Sequence, residues 1–426
     1  MQASAFSLLP LFAAYFDCSQ RMRGSSSLSL NVMTTFVNAY STLRTPIPWF
    51  GAGNGPTFVR SLISEDANGP FLSEQNEGSD AHELQEHLNG FAGYALNTGV
   101  ERAGSYNSSI HSVFQHISRA HCHYVFERPE GYSLADFSEE FSAWGKQANS
   151  IFFLWDGSVR NGEGIDLLDP RTPEGATPPS APHTEESIIR RNRIRGRLFE
   201  EGILISTYLP PVIGESEVVL RKPSEVRQRA QSLLTLAHIA VDVVAGQSVN
   251  VDEYLTHLQI TESNLTQEET EFLAAVRRFN SFGEGQSPNY PAELTEGAFQ
   301  MQWGFVAAEL LAWVIGATDS DPFELNPPQP AVLTDYLTHQ TVRKSLRPRT
   351  LPEICDVLEY TYSMRWYAVN QTLKANEITE RGGDPAKELL GLQLEPVQSS
   401  ILLERHRALS WLTHPHVDYA DVDLST

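Results

Sequence analysis

The stretch TEGAFQMQWGFVAAELLAWVI, residues 295–315, decides the fold class of more than half of this 426-residue chain. When the stretch is wound as a helix, apolar side chains cover almost every side of it. A helix that is apolar all round is enclosed by other elements in a globular protein. We therefore predict that residues 295–315 form the central, buried helix of a helical bundle.

Helical spacing of apolar residues recurs on both sides of this stretch, from residue 184 to the C-terminus. Ser224 is a suitable N-cap, and Gly246 follows the last apolar position of the same helix, as glycine does after many helix ends. The sequence therefore predicts an all-α domain over residues 184–426. Its other helices are predicted at 184–198, 267–278, 351–373 and from Pro396 onward.

Residues 33–167 show a mixed pattern, which predicts a small α+β layer domain. Ser133 and Asp136 have the spacing of a helix-capping pair. Gly99 is predicted to end a helix that begins at residue 82. The fold class that we predict for the whole chain is α+β, mainly α. Strands are predicted at 36–42, 121–127 and 150–158, with 164–168 as the hairpin partner of the last, and a further helix near 110–117.

Two segments are predicted to lie outside these domains. Residues 168–183 hold five prolines without hydrophobic periodicity, which is typical of a linker. Residues 1–32 include the apolar run 5–16, which lacks a preceding basic residue and is too short to span a bilayer. We expect residues 1–32 to be a disordered extension or an artefact of start-site assignment. The sequence predicts no transmembrane helix.

The charge and cysteine content limit the possible functions. Lys+Arg 31 against Asp+Glu 53 gives 31 − 53 = −22, a charge that disfavours nucleic acid and anionic membranes and favours a basic protein partner. The three cysteines, Cys18, Cys122 and Cys355, are far apart and form neither a disulfide framework nor a zinc motif. We therefore expect a cytoplasmic protein without a metal or another cofactor.

Residues 404–413, ERHRALSWLT, place ionisable groups among apolar ones on the last helix. Arg405 projects into the apolar face, Glu404 lies beside Trp411, and His406 lies at the margin. A buried guanidinium needs a partner because an unpaired buried charge costs several kcal/mol. We expect a carboxylate from another element. The candidates are Glu359, Asp418, Asp421 and Asp423.

This cluster allows two interpretations. Arg365 also falls within an apolar arc, so Arg365 and Arg405 could belong to an internal ion-pair network with Glu359, Asp418 and Asp421. Alternatively the same region is a ligand or catalytic site, in which Glu404 and His406 are the candidate catalytic groups. Truncation of Arg405 distinguishes the two, since a network predicts lost stability and a site predicts lost ligand binding.

Three other patterns carry weaker signals. Five arginines within residues 190–197 suggest an anion patch, but nearby glutamates and the net charge favour a solvated helix. His111 and His116 are five residues apart, which does not place both on one metal ion, and His121 and His123 form at most a weak pair. The HPH triplet at 414–416 is equally weak. The loop GAGNG at 51–55 lacks the lysine of a phosphate-binding loop.

Several stretches together resemble the bacterial domain of unknown function 4272 family, from about residue 34 to the C-terminus. They include VNAYSTLRTP, LNGFAGYAL, RIRGRLFEEGI, YSMRWYA and LERHRALSWLT. The family's usual terminus is similar to Trp-Asp-Asp, whereas this chain reads Tyr419-Ala420-Asp421. The resemblance implies a soluble bacterial protein with a helical C-terminal half and implies no catalytic residues.

The sequence leaves two functional hypotheses open. The first is a non-enzymatic, acidic interaction or accessory factor that binds a basic protein, and an immunity-like protein is one kind of such a factor. The alternative is a hydrolase or a phosphate-ligand enzyme whose pocket lies in the helical domain near Arg405 and His406. Whether the protein is an enzyme, and its oligomeric state, are left open.

Overall fold

The computed structural model describes residues 34–63, 79–171, 182–280, 288–338, 347–415 and 417–425. The predicted extension 1–32 lies outside the described residues, as does most of the predicted linker 168–183. Leu168, at the start of that linker, is buried in a hydrophobic core of the first part of the chain. The domain boundary itself stays a prediction.

The first part of the chain is built on one antiparallel sheet of five strands in the order β2-β3-β1-β4-β5. The central strand β1 pairs with β3 on one side and with β4 on the other, so that Tyr40 faces His123 and Ile151. The strands are β1 (Thr34–Ser41), β2 (Phe58–Ser61), β3 (Cys122–Pro129), β4 (Ser150–Phe153) and β5 (Val159–Asn161).

Helices cover both faces of this sheet. They are α1 (Ser79–Ala103), α2 (Ser108–Ser118) and α3 (Leu134–Gln147). Because side chains alternate along a strand, Tyr40 of β1 packs in the core under α1 and α2, whereas Ala39 packs in the core under α3. The predicted capping pair at the start of α3 is confirmed, since Ser133 and Asp136 form a reciprocal capping box. The first part is therefore a three-layer α+β unit.

Two local predictions for this unit are wrong. Helix α1 does not end at Gly99 but continues to Ala103, and Gly104 then adopts φ +76°. Gly99 lies inside the helix, where a Cβ atom would come within 2.8 Å of Ile110, so its lack of a side chain lets α2 pack closely. The hairpin partner of β4 is β5, reached through a turn at Gly157, rather than residues 164–168.

The second part is helical, which confirms the predicted α+β, mainly α class. Helix α9 is enclosed, since every residue of it except Glu309 is buried. The helices are α4 (Glu185–Glu200), α5 (Pro223–Val244), α6 (Val251–His257), α7 (Gln267–Asn280), α8 (Ala292–Met301), α9 (Gly304–Val314), α10 (Pro330–Thr338), α11 (Leu351–Glu380), α12 (Pro385–Glu388) and α13 (Pro396–Thr413). No helix among the described residues is long and apolar enough to cross a membrane.

The stretch 295–315 is not one helix, as predicted, but parts of two. The chain turns at Gln302 and Trp303, where Phe305 and Val306 donate to carbonyls only three residues back. Gly304 then lies so close to α5 that a Cβ atom would be 2.9 Å from the carbonyl oxygen of Leu233. Helix α5 also starts differently, because Pro223 occupies its first turn after Lys222 and Ser224 is not the cap.

Candidate functional site

Arg405 is buried and makes its hydrogen bonds to backbone oxygens. Its Nη1 donates to the carbonyls of Pro322 and Glu324, both at 2.8 Å. Burial lowers the pKa of the guanidinium, and the charge of Glu309 partly opposes this effect. The partners of Arg405 thus differ from the carboxylates that the sequence suggested. Arg405 fastens α13 to the loop that precedes α10.

Glu359, one of those suggested partners, pairs with a different arginine. It is fully buried on α11 and accepts from Arg195 Nη2 at 3.0 Å and from the backbone N–H of Val212 at 3.0 Å. Burial raises the pKa of the Glu359 carboxyl, and Arg195 opposes that rise. The pair connects α4 to α11 and holds the segment 210–213 in place.

The remaining predicted residues are spread over the end of the helical part. Glu404 pairs with Arg407 at 3.3 Å, and burial raises the pKa of its carboxyl. Arg365 is partly buried near His406, and burial lowers the pKa of its guanidinium. Asp418 is exposed at the start of a short 3-10 turn. Of the predicted set, His406 and Asp421 line a common cavity, whereas Glu404, Arg405 and Arg365 do not.

This cavity has a volume of about 280 Å³ and lies between the α+β unit and the helical part. We call it the seam cavity. Helix α2 lines one side, α11 and α13 line another, and the tail 417–425 borders it. The segment 210–213 supplies an apolar wall of two prolines, a valine and an isoleucine. The ionisable residues in its lining are His111, Arg119, His183, Tyr362, His406, His414, Asp421 and Asp423.

Two helices each present polar residues to the cavity at intervals of four. On α2 and its C-cap these are His111, Gln115 and Arg119, and on α13 they are His406, Ser410 and, at its C-cap, His414. Residues four apart lie on the same helix face, about 6 Å from one another. Each row is therefore about 12 Å long. The two rows are far apart in the sequence. The sequence alone therefore did not indicate that they share a site.

The cavity histidines are neutral because they are buried. Burial lowers the pKa of His406 to about 4, with a further contribution from Arg365. Burial also lowers the pKa of His183, of His111 and of His414. A neutral imidazole carries one donor and one acceptor nitrogen. In the described part of the chain, Nδ1 of His406 and Nδ1 of His183 are buried and have no hydrogen-bond partner.

The tautomer of His414 follows from its neighbour. Its Nδ1 lies 2.7 Å from the carbonyl oxygen of Ser410, one turn earlier on α13. Since a carbonyl oxygen only accepts, Nδ1 carries the proton and Nε2 has the lone pair. Tyr362, by contrast, is a protonated phenol, because burial raises its pKa to about 12. The cavity thus contains both a base and a weak acid.

The cavity also contains opposite charges. Arg119 is buried, and its Nε donates to the carbonyl of Gln115 at 3.2 Å, while its Nη1 lies 3.8 Å from Glu217. Asp423 is on the exposed side and accepts from Gln115 Nε2 at 3.0 Å and from the Ser425 N–H at 2.9 Å. Burial alone would raise the pKa of Asp423, but the Ser425 bonds and the nearby His111 lower it.

Metal binding finds no support in the arrangement of these groups. Across the described ranges, no group of three or more His, Cys, Asp or Glu residues could hold a metal ion. His416, part of the HPH triplet, lies outside the described residues. His121 Nε2 donates to the carbonyl of Glu217 at 2.9 Å, and His123 Nε2 lies 3.0 Å from Asn38 Oδ1. Each of these two histidines therefore has a structural partner.

The arginines of residues 190–197 do not form an open anion patch. Arg190 is buried and pairs with Glu215, and Arg195 pairs with Glu359 as described above. Arg193 contacts Asp356. The exposed members of the run, Arg193 and Arg197, are both paired with carboxylates, Arg197 with Glu201, and Arg191 donates to Asn192. The run mainly holds α4 against the bundle.

Comparison with known proteins gives one match. Residues 190–422 match the family described as Domain of unknown function (DUF4272). The matched range begins on α4 and ends in the tail, so it includes Tyr362, His406 and His414 but not α2. No curated protein and no solved structure matches the chain.

Proposed function

The chain belongs to the DUF4272 family, and from the groups that line its seam cavity we propose that it binds a small organic acid there. The observation that carries this proposal is Arg119. This buried guanidinium lines the cavity; its Nε donates to the Gln115 carbonyl, and its Nη1 lies 3.8 Å from the Glu217 carboxylate, which is beyond hydrogen-bond distance. Guanidinium N–H groups bind carboxylate and phosphate oxygens strongly.

The histidines support the same ligand. A buried polar atom without a partner is costly, so unpartnered nitrogens in a cavity favour a polar guest. Each neutral imidazole of His183 and His406 can donate one hydrogen bond to an oxyanion, whereas His414 already donates its Nδ1 proton to the carbonyl of Ser410. The proline-rich wall at 210–213 and the apolar side chains of Leu358 and Phe114 favour an apolar body on the ligand. The acid therefore combines an anionic head with a small apolar group.

A second candidate function is an enzyme that acts on this acid, most simply a hydrolase. The observation that favours it is the orientation of His414, whose Nε2 lone pair is available as a general base. The substrate then carries an ester or amide bond besides its acid group. His414 Nε2 takes a proton from the water that attacks the carbonyl carbon, and Tyr362 protonates the oxygen or nitrogen that leaves as the C–O or C–N bond breaks. Loss of turnover in a His414→Gln variant that still binds the acid would support this role.

The hypothesis of an acidic factor that binds a basic protein remains a prediction from the net charge of −22. A cytoplasmic, bacterial setting is likewise a proposal. Recovery of one basic protein in stoichiometric amount from a host lysate at low salt, and its loss at high salt, would favour that hypothesis.

The binding proposal is tested with simple aromatic probes. Ligand-observed NMR titrations measure the Kd of benzoate, phenyl phosphate and the neutral benzamide. We expect at least one anion to bind about tenfold more tightly than benzamide, and the stronger anion identifies the head group as carboxylate or phosphate. His406→Gln should weaken that binding, whereas His257→Gln, an exposed histidine on α6, should not. Equal affinity of all three probes, or no binding, would overturn the proposal.

A further inference from the structure

Gln115 connects two opposite charges at the seam cavity. Its backbone carbonyl accepts from Arg119 Nε at 3.2 Å, and its side-chain amide donates to Asp423 at 3.0 Å. The same residue therefore has the cation on one side and the carboxylate on the other. Arg119 is buried and Asp423 is exposed, so the positive group lies inside and the negative group lies at the mouth.

The separation of these charges follows from helix geometry. Arg119 follows Gln115 by one turn of α2, a distance of about 6 Å between side-chain origins. Asp423 lies within hydrogen-bond distance of Gln115. A ligand that reaches both charges must carry its own anion and cation only a few bonds apart.

The inner and outer ends of the seam cavity also differ in which charged residue acts on their histidines. Arg119 lowers the pKa of His183 and Asp423 opposes the lowering of the pKa of His111, while both charges act on His414. The inner end thus holds the Arg119 guanidinium, with Glu217 as its ion-pair partner at 3.8 Å, and the outer end holds the Asp423 carboxylate, with neutral imidazoles between them. An anion alone would satisfy the inner end and would be repelled at the mouth by Asp421 and Asp423, which both line it.

We infer that the ligand of the seam cavity is a zwitterion of the amino-acid type, with its carboxylate toward Arg119 and its ammonium toward Asp423. This inference rests on the proposed function and specifies its ligand class. The ammonium group forms a charge-assisted hydrogen bond to the Asp423 carboxylate, and the apolar side chain packs on the 210–213 wall. Asp423 is therefore a specificity-determining residue.

Three probes that share one aromatic ring test the inference. They are benzoate, benzylamine and phenylglycine, which carry an anion, a cation and both. We expect phenylglycine to bind about fivefold more tightly than benzoate, the size of an ion pair at an exposed carboxylate. In an Asp423→Asn variant that advantage should disappear. In Asp418→Asn, a matched change at an exposed tail position outside the cavity lining, it should persist.

The outcomes separate this inference from the proposed function. Binding of benzoate with no preference for phenylglycine would overturn the inference and leave the acid-binding function in place. A phenylglycine preference that survives in Asp423→Asn would also overturn it. The absence of binding by every acid would overturn the proposed function itself. Circular dichroism of both variants establishes that each is folded before its Kd is compared.

Discussion

Gln115 and Asp423 are 308 positions apart in the sequence, and their side chains form a 3.0 Å hydrogen bond. This bond joins α2 of the α+β unit to the C-terminal tail of the helical part. Arg221 also holds the start of this tail, since its guanidinium donates to the carbonyls of His414 and Val417. The walls of the seam cavity therefore depend on contacts between the first and last parts of the chain.

Loss of the Gln115 amide should free the tail without unfolding the protein. A Gln115→Leu variant removes one partly exposed hydrogen bond, worth about 1 kcal/mol. We expect amide hydrogen exchange in residues 417–425 to become about fivefold faster, while exchange in α9 is unchanged. Gln85→Leu removes a comparable exposed bond to Asn89 on α1 and serves as the control. Unchanged exchange in the tail would show that this bond does not hold it.

Arg405 should be a strong stability determinant. Its replacement by Met leaves the carbonyls of Pro322 and Glu324 without donors and should lower the free energy of unfolding by about 2–4 kcal/mol. Arg407→Met, two residues later, removes a part-buried pair with Glu404 but leaves no backbone carbonyl without its donor, and should cost about 1 kcal/mol. Urea denaturation measures both values. Similar losses for the two variants would contradict the structural role of Arg405.

The buried pair of Glu359 and Arg195 should be sensitive to neutralisation of its acid. Glu359→Gln leaves the Arg195 charge without its carboxylate and weakens the acceptor for the Val212 N–H. We expect the free energy of unfolding to fall by about 3 kcal/mol. Asp356→Asn is the matched control on the same helix, because its partner Arg193 is largely exposed.

The two variants should also differ in ligand affinity at the seam cavity. Glu359 accepts from the Val212 N–H and so holds the 210–213 wall, whereas Asp356 does not line the cavity. Benzoate affinity should fall in Glu359→Gln and stay unchanged in Asp356→Asn. A Glu359→Gln protein as stable as the wild type would contradict the importance of this pair.

His406 should make stability depend on pH. Its pKa is about 4 in the folded protein and 6.5 as an ordinary histidine, so between these values only the unfolded state binds the proton. The stabilisation is complete above pH 6.5 and is lost as the pH falls toward 4, by up to about 3 kcal/mol. In His406→Gln this part of the loss should be absent. Urea titrations at several pH values measure the slopes, and equal slopes in both proteins would contradict the prediction.

Hydrophobic periodicity was sufficient to predict most of the fold. It identified the strands around Tyr40 and Ile151 and the long helices of the second part, because core-facing side chains must recur at 2 or 3.6 residues. It could not locate the break at Gln302, where the cause is a close approach of Gly304 to the backbone of α5. Such contacts depend on tertiary packing and leave no trace in apolar spacing.

The candidate site was only partly predictable, for a different reason. His406 stood out because it lies beside an arginine in an apolar face, but its cavity neighbours on α2 are far away in sequence. The partners of Arg405 are backbone carbonyls, which every residue possesses, so no residue type signals them. The spacing of His111, Gln115 and Arg119 was present in the sequence, but it acquires a meaning only when α13 lies opposite.

The most direct test of the central claim locates the bound acid by the histidines themselves. Histidine-selective labelling resolves the ring signals of the protein, and single His→Gln variants assign them. On addition of benzoate, we expect the ring signals of His183, His406 and His414 to shift together along one binding curve, while that of His257 stays in place. Binding that leaves the three cavity histidines unperturbed would contradict the assignment of the seam cavity as the ligand site.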